Sequence, residues 1–158
     1  EVDKLCAYVG GGEIAAQDIE ACCVPSVEAS AFELAKSILS GSYDRAFSIV
    51  DDLFALRQEP VAILGALSMA FADLYRAKCA LSAGISADQT AVDFAYPKNR
   101  LFAVKNARRD AAHFSSAQIR RCVRVLCETD LALKSSRTPP RIALEQMLGE
   151  MRLAAARE

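Results

Sequence analysis

The stretch PVAILGALSMAFADLYRAKCALS, residues 60–82, constrains the fold more than any other. Proline at a first-turn position opens a helix, because its missing N–H is one the helix leaves unpaired anyway. From Val61 to Phe71 the residues are nearly all apolar, so no single face can turn to water. A helix apolar on most sides must be wrapped by other elements, and it becomes the centre of whatever forms. No segment alternates apolar and polar residues over strand length, so those other elements are expected to be helices as well. The fold class is all-α, a helical bundle.

The remaining helices announce themselves by their punctuation. A first runs to about Val9 and stops at Gly10-Gly11-Gly12. A short one covers about Ala16 to Cys22 and ends at Val24-Pro25, since a residue before proline is pushed out of helical geometry. Residues 1–25 form a small element ahead of the main domain, residues 26–158. There, a helix from about Val27 to Leu39 is closed by Gly41, and Ser42 is placed to cap the next, from Tyr43 to about Leu56. Gly84 ends the central helix. Ser86-Ala-Asp-Gln89 and Ser115-Ser-Ala-Gln118 are capping-box patterns, opening a short helix to about Phe94 and a long one from Ser116 to Ser135. Between them a helix starts at Pro97 and reaches about Ala112. Thr138 caps the last, with Pro139 and Pro140 in its first turn, to about Ala155.

Net charge is −1, which by itself points neither to nucleic acid nor to membrane. Charge is unevenly placed, however. Residues 1–60 hold eleven acids against four bases, whereas residues 98–124 hold eight bases against Asp110 alone. The basic stretch is either a polyanion or acidic-partner surface or the solvated face of long helices. No run of about 18 apolar residues spans a bilayer, and no signal peptide precedes the domain. An opening at Glu1-Val2-Asp3, without Met and inside a helix, fits a piece cut from a longer protein. The six cysteines (6, 22, 23, 79, 122 and 127) lack paired C-x-x-C spacing, and adjacent Cys22-Cys23 rarely close a comfortable disulfide. Buried reduced thiols in the cytoplasm are expected.

Catalytic motifs are scarce. Gly10-Gly11-Gly12 is followed by Glu13-Ile14 and lacks the lysine and hydroxyl of a phosphate-gripping loop. His113 is the sole histidine, which removes His-based triads and zinc motifs and leaves a helix-junction residue. No metal or cofactor site is expected. One pair stands out. On the helix from Ser116 the apolar stripe Ile119, Val123, Leu126 leads next to Asp130, with Lys134 one turn on. A charge on a core stripe has to be paired, and the following helix offers Arg141 and Glu145. A catalytic role for Asp130 and Lys134 would need a cleft and a supporting nucleophile, and neither is in view. An inter-helix latch of Asp130, Lys134, Arg141 and Glu145 is the expectation.

The run L-x-x-x-D-L-x-L-K, a short loop and then A-L-E-x-x-L, written here as Leu126 to Lys134 and Ala143 to Leu148, resembles the closing signature of the delta subunit of bacterial DNA polymerase III, part of the clamp loader. AFELAKSILSGSYDRAFSIVDDLFALRQEPVAILGAL is similar to the family's F-x-L-x-x-A-I-x-x-G start and its G-E-x-P-x-x-I-L helix, with Gln58 where many members have glycine. The opening EVDKLCAYVGGGEIAAQDIEACC resembles the last helices of the preceding lid domain. The resemblance implies an AAA+ lid remnant at residues 1–25 and a collar domain at 26–158, without ATPase or polymerase activity of its own. It implies as partners the ATP-binding (gamma/tau) and delta-prime subunits in the collar. The sliding clamp would be bound by an N-terminal module this sequence lacks, and primer-template DNA would enter in the assembled complex. The Ser135–Thr138 loop resembles the segment near the template strand, where Arg137 could contact phosphate or stack on a base. A rival reading, from composition alone, is a helical ligand-binding or regulatory domain with an apolar pocket lined by residues 61–71.

Overall fold

The computed structural model describes residues 1–23, 25–135 and 138–155. Its elements are α1 (Val2–Val9), α2 (Ala16–Cys22), α3 (Val27–Leu39), α4 (Tyr43–Ala55), α5 (Pro60–Ser82), α6 (Ala87–Asp93), a 3-10 turn (Lys98–Arg100), α7 (Leu101–Ala111), α8 (Ser116–Ser135) and α9 (Pro140–Ala155). No strand occurs among the described residues.

The central helix is central. α5 packs against α3, α7 and α8, while α9 closes the bundle by lying on α8 and α4. Ile63, Leu64, Leu67, Phe71 and Leu74 of α5 are fully buried, facing Leu34 of α3, Val50 and Leu53 of α4, Ile119 of α8 and Leu144, Met147 and Leu148 of α9 in one continuous core. Each such side chain contributes about 1.5–3 kcal/mol by leaving water, so this core outweighs any surface pair. By length and composition α5 would also reach across a bilayer, contrary to the expectation that no apolar run is long enough. Here its inward faces are buried in the bundle.

α1 and α2 pack on each other, and Lys4 bonds the Cys22 carbonyl. Leu5 is the one buried side chain among the described residues of 1–25.

The punctuation shows why helices start and stop where they do. Gly41 takes φ +77°, and two backbone bonds, Gly41 N–H to Ile38 and Ser42 N–H to Ser37, close α3 in a Schellman turn. At Ser115 both halves of the capping box form: Ser115 Oγ accepts from Gln118 N–H, and Gln118 Oε1 accepts from Ser115 N–H. At Ser86 only the first half forms, because the Gln89 side chain turns forward to Asp93 at 2.7 Å. Ser42 does not cap α4; its hydroxyl is engaged by that of Ser40. α7 begins at Leu101 rather than at Pro97, since the chain first makes the 3-10 turn Lys98–Arg100.

Candidate functional site

The expected latch separates into three pieces. Lys134 Nζ bonds Asp130 Oδ2 at 2.6 Å, but the two side chains are 62% and 45% exposed and lie along one helix. Asp130 is therefore a surface acid, not a buried one. The reason is a single step of the helical period. The buried stripe of α8 is Ile119, Cys122, Val125, Leu126 and Thr129, so after Leu126 it advances by three residues, not four. Thr129 takes the inward position, and its hydroxyl donates to the Val125 carbonyl at 2.8 Å. Asp130 then lies about 80° from the middle of the stripe, beyond its edge.

Arg141 and Glu145 likewise pair within α9, at 2.8 Å. The bond that crosses helices belongs to Arg141 and Asp51 of α4, with the Arg141 guanidinium also lying 5.5 Å from the Phe54 ring. The hydrogen bond that Arg141 donates to Glu145, then the charge of Asp51, hold Arg141 more firmly protonated than usual. Arg141 and Asp51 remain more than half exposed, and Glu145 38% exposed.

The buried polar centre lies elsewhere. Asp73 of α5 is 4% exposed and accepts from the Tyr96 hydroxyl and from Arg100 Nη2 at 2.8 Å. Arg76 Nη1 stands 3.7 Å from the same carboxylate and donates to the Tyr96 oxygen at 3.2 Å. The Arg76 guanidinium lies over the Phe94 ring at 5.1 Å, and Arg100 reaches Met69 Sδ. Burial, then the bond to Asp73, push the Tyr96 phenol above its ordinary pKa. The cluster fastens the α6–α7 connection to α5. One signal pointed to it: Asp73 is the sole acid between Pro60 and Ala87.

The remaining expectations sort as follows. Arg137 falls outside the described residues. His113 is exposed at the α7–α8 junction, its N–H bonded to the Asp110 carbonyl. The expectation of buried thiols holds for Cys122, which burial pushes up to about 11, but Cys6, Cys79 and Cys127 are exposed because they flank their stripes. Within the basic stretch, Arg108 donates to the Ile85 carbonyl and Arg109 to Asp110. No group of three His, Cys, Asp or Glu able to hold a metal occurs among the described residues.

The apolar residues expected to line a pocket along 61–71 are instead packed into the core, Ile63, Leu64, Leu67 and Phe71 being buried. An open cleft of about 450 Å³ lies instead between the α2–α3 connection and α4, lined by Cys23, Ala29, Glu33, Arg45, Ile49 and Leu56 among others. Ser30, Glu33, Arg45 and Asp52 supply its polar lining, beside an apolar wall that includes Ile49, Leu53 and Leu56.

Comparison with known proteins gives a consistent result. Residues 28–151 match the family described as DNA polymerase III delta subunit, C-terminal domain. The DNA polymerase III subunit delta of Bacillus subtilis (strain 168) is 28% identical over 149 residues, covering 94% of this chain and 42% of that protein. The chain thus spans less than half the length of that curated relative. Among solved structures, the Bacillus subtilis DNA clamp loader delta protein (YqeN) superposes with a TM-score of 0.83 at 26% identity, over 96% of this chain and 44% of that one.

Proposed function

The chain belongs to the family formed by the C-terminal domain of the DNA polymerase III delta subunit, and from that membership we propose that it is the assembly module of a clamp-loader protein. The observation that carries this reading is the extent of the likeness: the family match takes in 28–151, nearly the whole bundle, and the structural match takes in 96% of the chain. In this reading residues 26–158 build the collar with the ATP-binding (gamma/tau) and delta-prime subunits. Residues 1–25 are the end of a preceding lid domain, and their sparse burial supports that division. The sliding clamp is engaged by a part of the protein outside this chain, and primer-template DNA enters in the assembled complex.

The module performs no chemistry of its own and works in the cytoplasm. The absence of chemistry fits its charged groups: Asp73, Arg76 and Arg100 are gathered into one structural cluster, and the exposed pairs on α8 and α9 each lie along a single helix. The test is co-assembly. The full-length protein, mixed with the ATP-binding and delta-prime subunits of the same cell, should elute with them from a sizing column as one complex. Separate elution at micromolar concentrations overturns the proposal, as does ATP turnover abolished by a substitution within this chain.

A further inference from the structure

We infer that the outward stripe of α5 is the docking site for a helix of a neighbouring protein chain, one that brings a carboxylate to Arg76; this rests on the assembly reading above. Five residues define the stripe: Val61, Gly65, Met69, Ala72 and Arg76. At 100° per residue they fall within an arc of roughly 80°. Val61 is 58% and Met69 49% exposed, and Gly65 is open to solvent. The most apolar helix of the bundle therefore leaves one apolar strip without a cover, although its other faces are packed by α3, α7 and α8.

Three features say what fits there. A Cβ built on Gly65 would meet nothing within 4 Å, so the glycine is not needed by this fold's own packing. In a helix interior glycine is destabilising relative to alanine. What it provides is bare backbone that another helix can approach closely. Next, the strip runs into Arg76, Arg100, Phe94 and Tyr96, joined by the contacts described above. Arginine, methionine and aromatic rings are the residues that interface centres favour. Finally, the charges at that end do not balance. Two guanidinium groups face the single carboxylate of Asp73, and no other described carboxylate lies within 4 Å of either. Arg76 remains 40% exposed. A partner carboxylate completes the set. A nucleic-acid strand would have phosphate for Arg76 but nothing to lay along Val61, Gly65 and Met69, so a protein helix is the better occupant.

Gly65→Gln in the full-length protein tests this without endangering the fold, since the site is open and glutamine is a better helix former than glycine. Val61→Glu, also outward, is the second variant, and Gly149→Gln on α9, where a Cβ again meets nothing, is the matched control. Each protein is titrated with the purified ATP-binding and delta-prime subunits and followed by sedimentation velocity. Gly65→Gln and Val61→Glu should weaken assembly at least tenfold with thermal midpoints equal to or above wild type, and Gly149→Gln should assemble normally. Wild-type affinity in both stripe variants overturns the inference and leaves the assembly reading standing. Equal loss in the control, or loss only of a self-associated dimer, overturns it too. A wild-type protein that joins none of these subunits defeats the assembly reading itself.

Discussion

Tyr96 donates its phenolic hydrogen to Asp73, a carboxylate buried on the central helix and 23 positions earlier in the chain. Arg100 bonds the other oxygen of the same carboxylate, so one acid on α5 holds both ends of the Tyr96–Arg100 connection. Truncating that acid leaves two arginines and a phenol without their common partner. Because both arginines are partly in water, the penalty falls short of that for a wholly buried pair. Asp73→Ala should lower stability by about 2–3 kcal/mol, and Tyr96→Phe by about 1–2 kcal/mol. Urea denaturation at neutral pH measures both. A loss under about 0.5 kcal/mol for Asp73→Ala would mean the cluster is no fastening.

The same contact gives the bundle an alkaline limit. The folded chain holds the Tyr96 phenol and the Cys122 thiol protonated above their ordinary values, chiefly through burial. Over the interval between unfolded and folded pKa, the folded state binds more protons than the unfolded, so stability falls as pH rises. The contribution is complete below about pH 9 and is lost progressively above it, first through Cys122 and past roughly pH 10 through Tyr96. In denaturation profiles taken from pH 8 to 11, Tyr96→Phe should lessen the decline above pH 10, where Tyr43, also raised by burial, keeps a share, and leave the Cys122 portion in place.

Thiol chemistry separates the cysteines. Cys6, Cys79 and Cys127 are exposed, whereas Cys122 is buried with its thiolate suppressed. Iodoacetamide at pH 8 should modify the first three in the native protein within minutes and reach Cys122 only with unfolding. Mass mapping of the alkylated peptides reads this directly. Early labelling of Cys122 would show that the packing around α8 opens locally.

The exposed ion pairs should matter little. Asp130→Ala removes a solvated i,i+4 pair and should change stability by less than about 0.5 kcal/mol. Arg141→Ala loses Glu145, Asp51 and the Phe54 ring together, and should cost measurably more than Asp130→Ala in the same denaturation experiment. Equal effects would mean that the crossing from α9 to α4 adds nothing.

This contrast also shows what the sequence made legible. Helix number and order followed from Pro60, Gly41, Gly84 and the two serine caps, which act locally and so can be read locally. The stripe of α8 was legible to Leu126. Beyond it, steps of three and of four both fit a 3.6-residue period, and only packing chose Thr129 over Asp130. The Asp73 cluster was harder still. Its members lie on α5, after α6 and in the 3-10 turn, and nothing local in Tyr96 or Arg100 says that they share one acid. The Arg141–Asp51 bond spans 90 positions and is equally silent in a one-dimensional reading.

Among the described residues, two helix ends use a left-handed residue that is not glycine, and one of them is a clean test of backbone strain. After α5 the chain closes with Gly84 at φ +68°, its N–H bonded to Leu81 and that of Ile85 to Ala80. After α6 the same Schellman turn is made by Ala95 at φ +51°, its N–H bonded to Val92 and that of Tyr96 to Ala91. For an L-residue with a Cβ that conformation costs about 1 kcal/mol, which glycine avoids. Ala95 is exposed, so its methyl group has little packing to lose. Ala95→Gly should therefore raise stability by about 0.5–1 kcal/mol, part of the relief being offset by the greater freedom of glycine in the unfolded chain. Gly84→Ala should lower it by a similar amount. The turn also delivers Tyr96 to Asp73, so a stabilised Ala95→Gly protein should keep the alkaline response of Tyr96 unchanged. Destabilisation by Ala95→Gly would mean that the strain argument fails at this turn and that the alanine methyl is held by contacts stronger than its exposure allows.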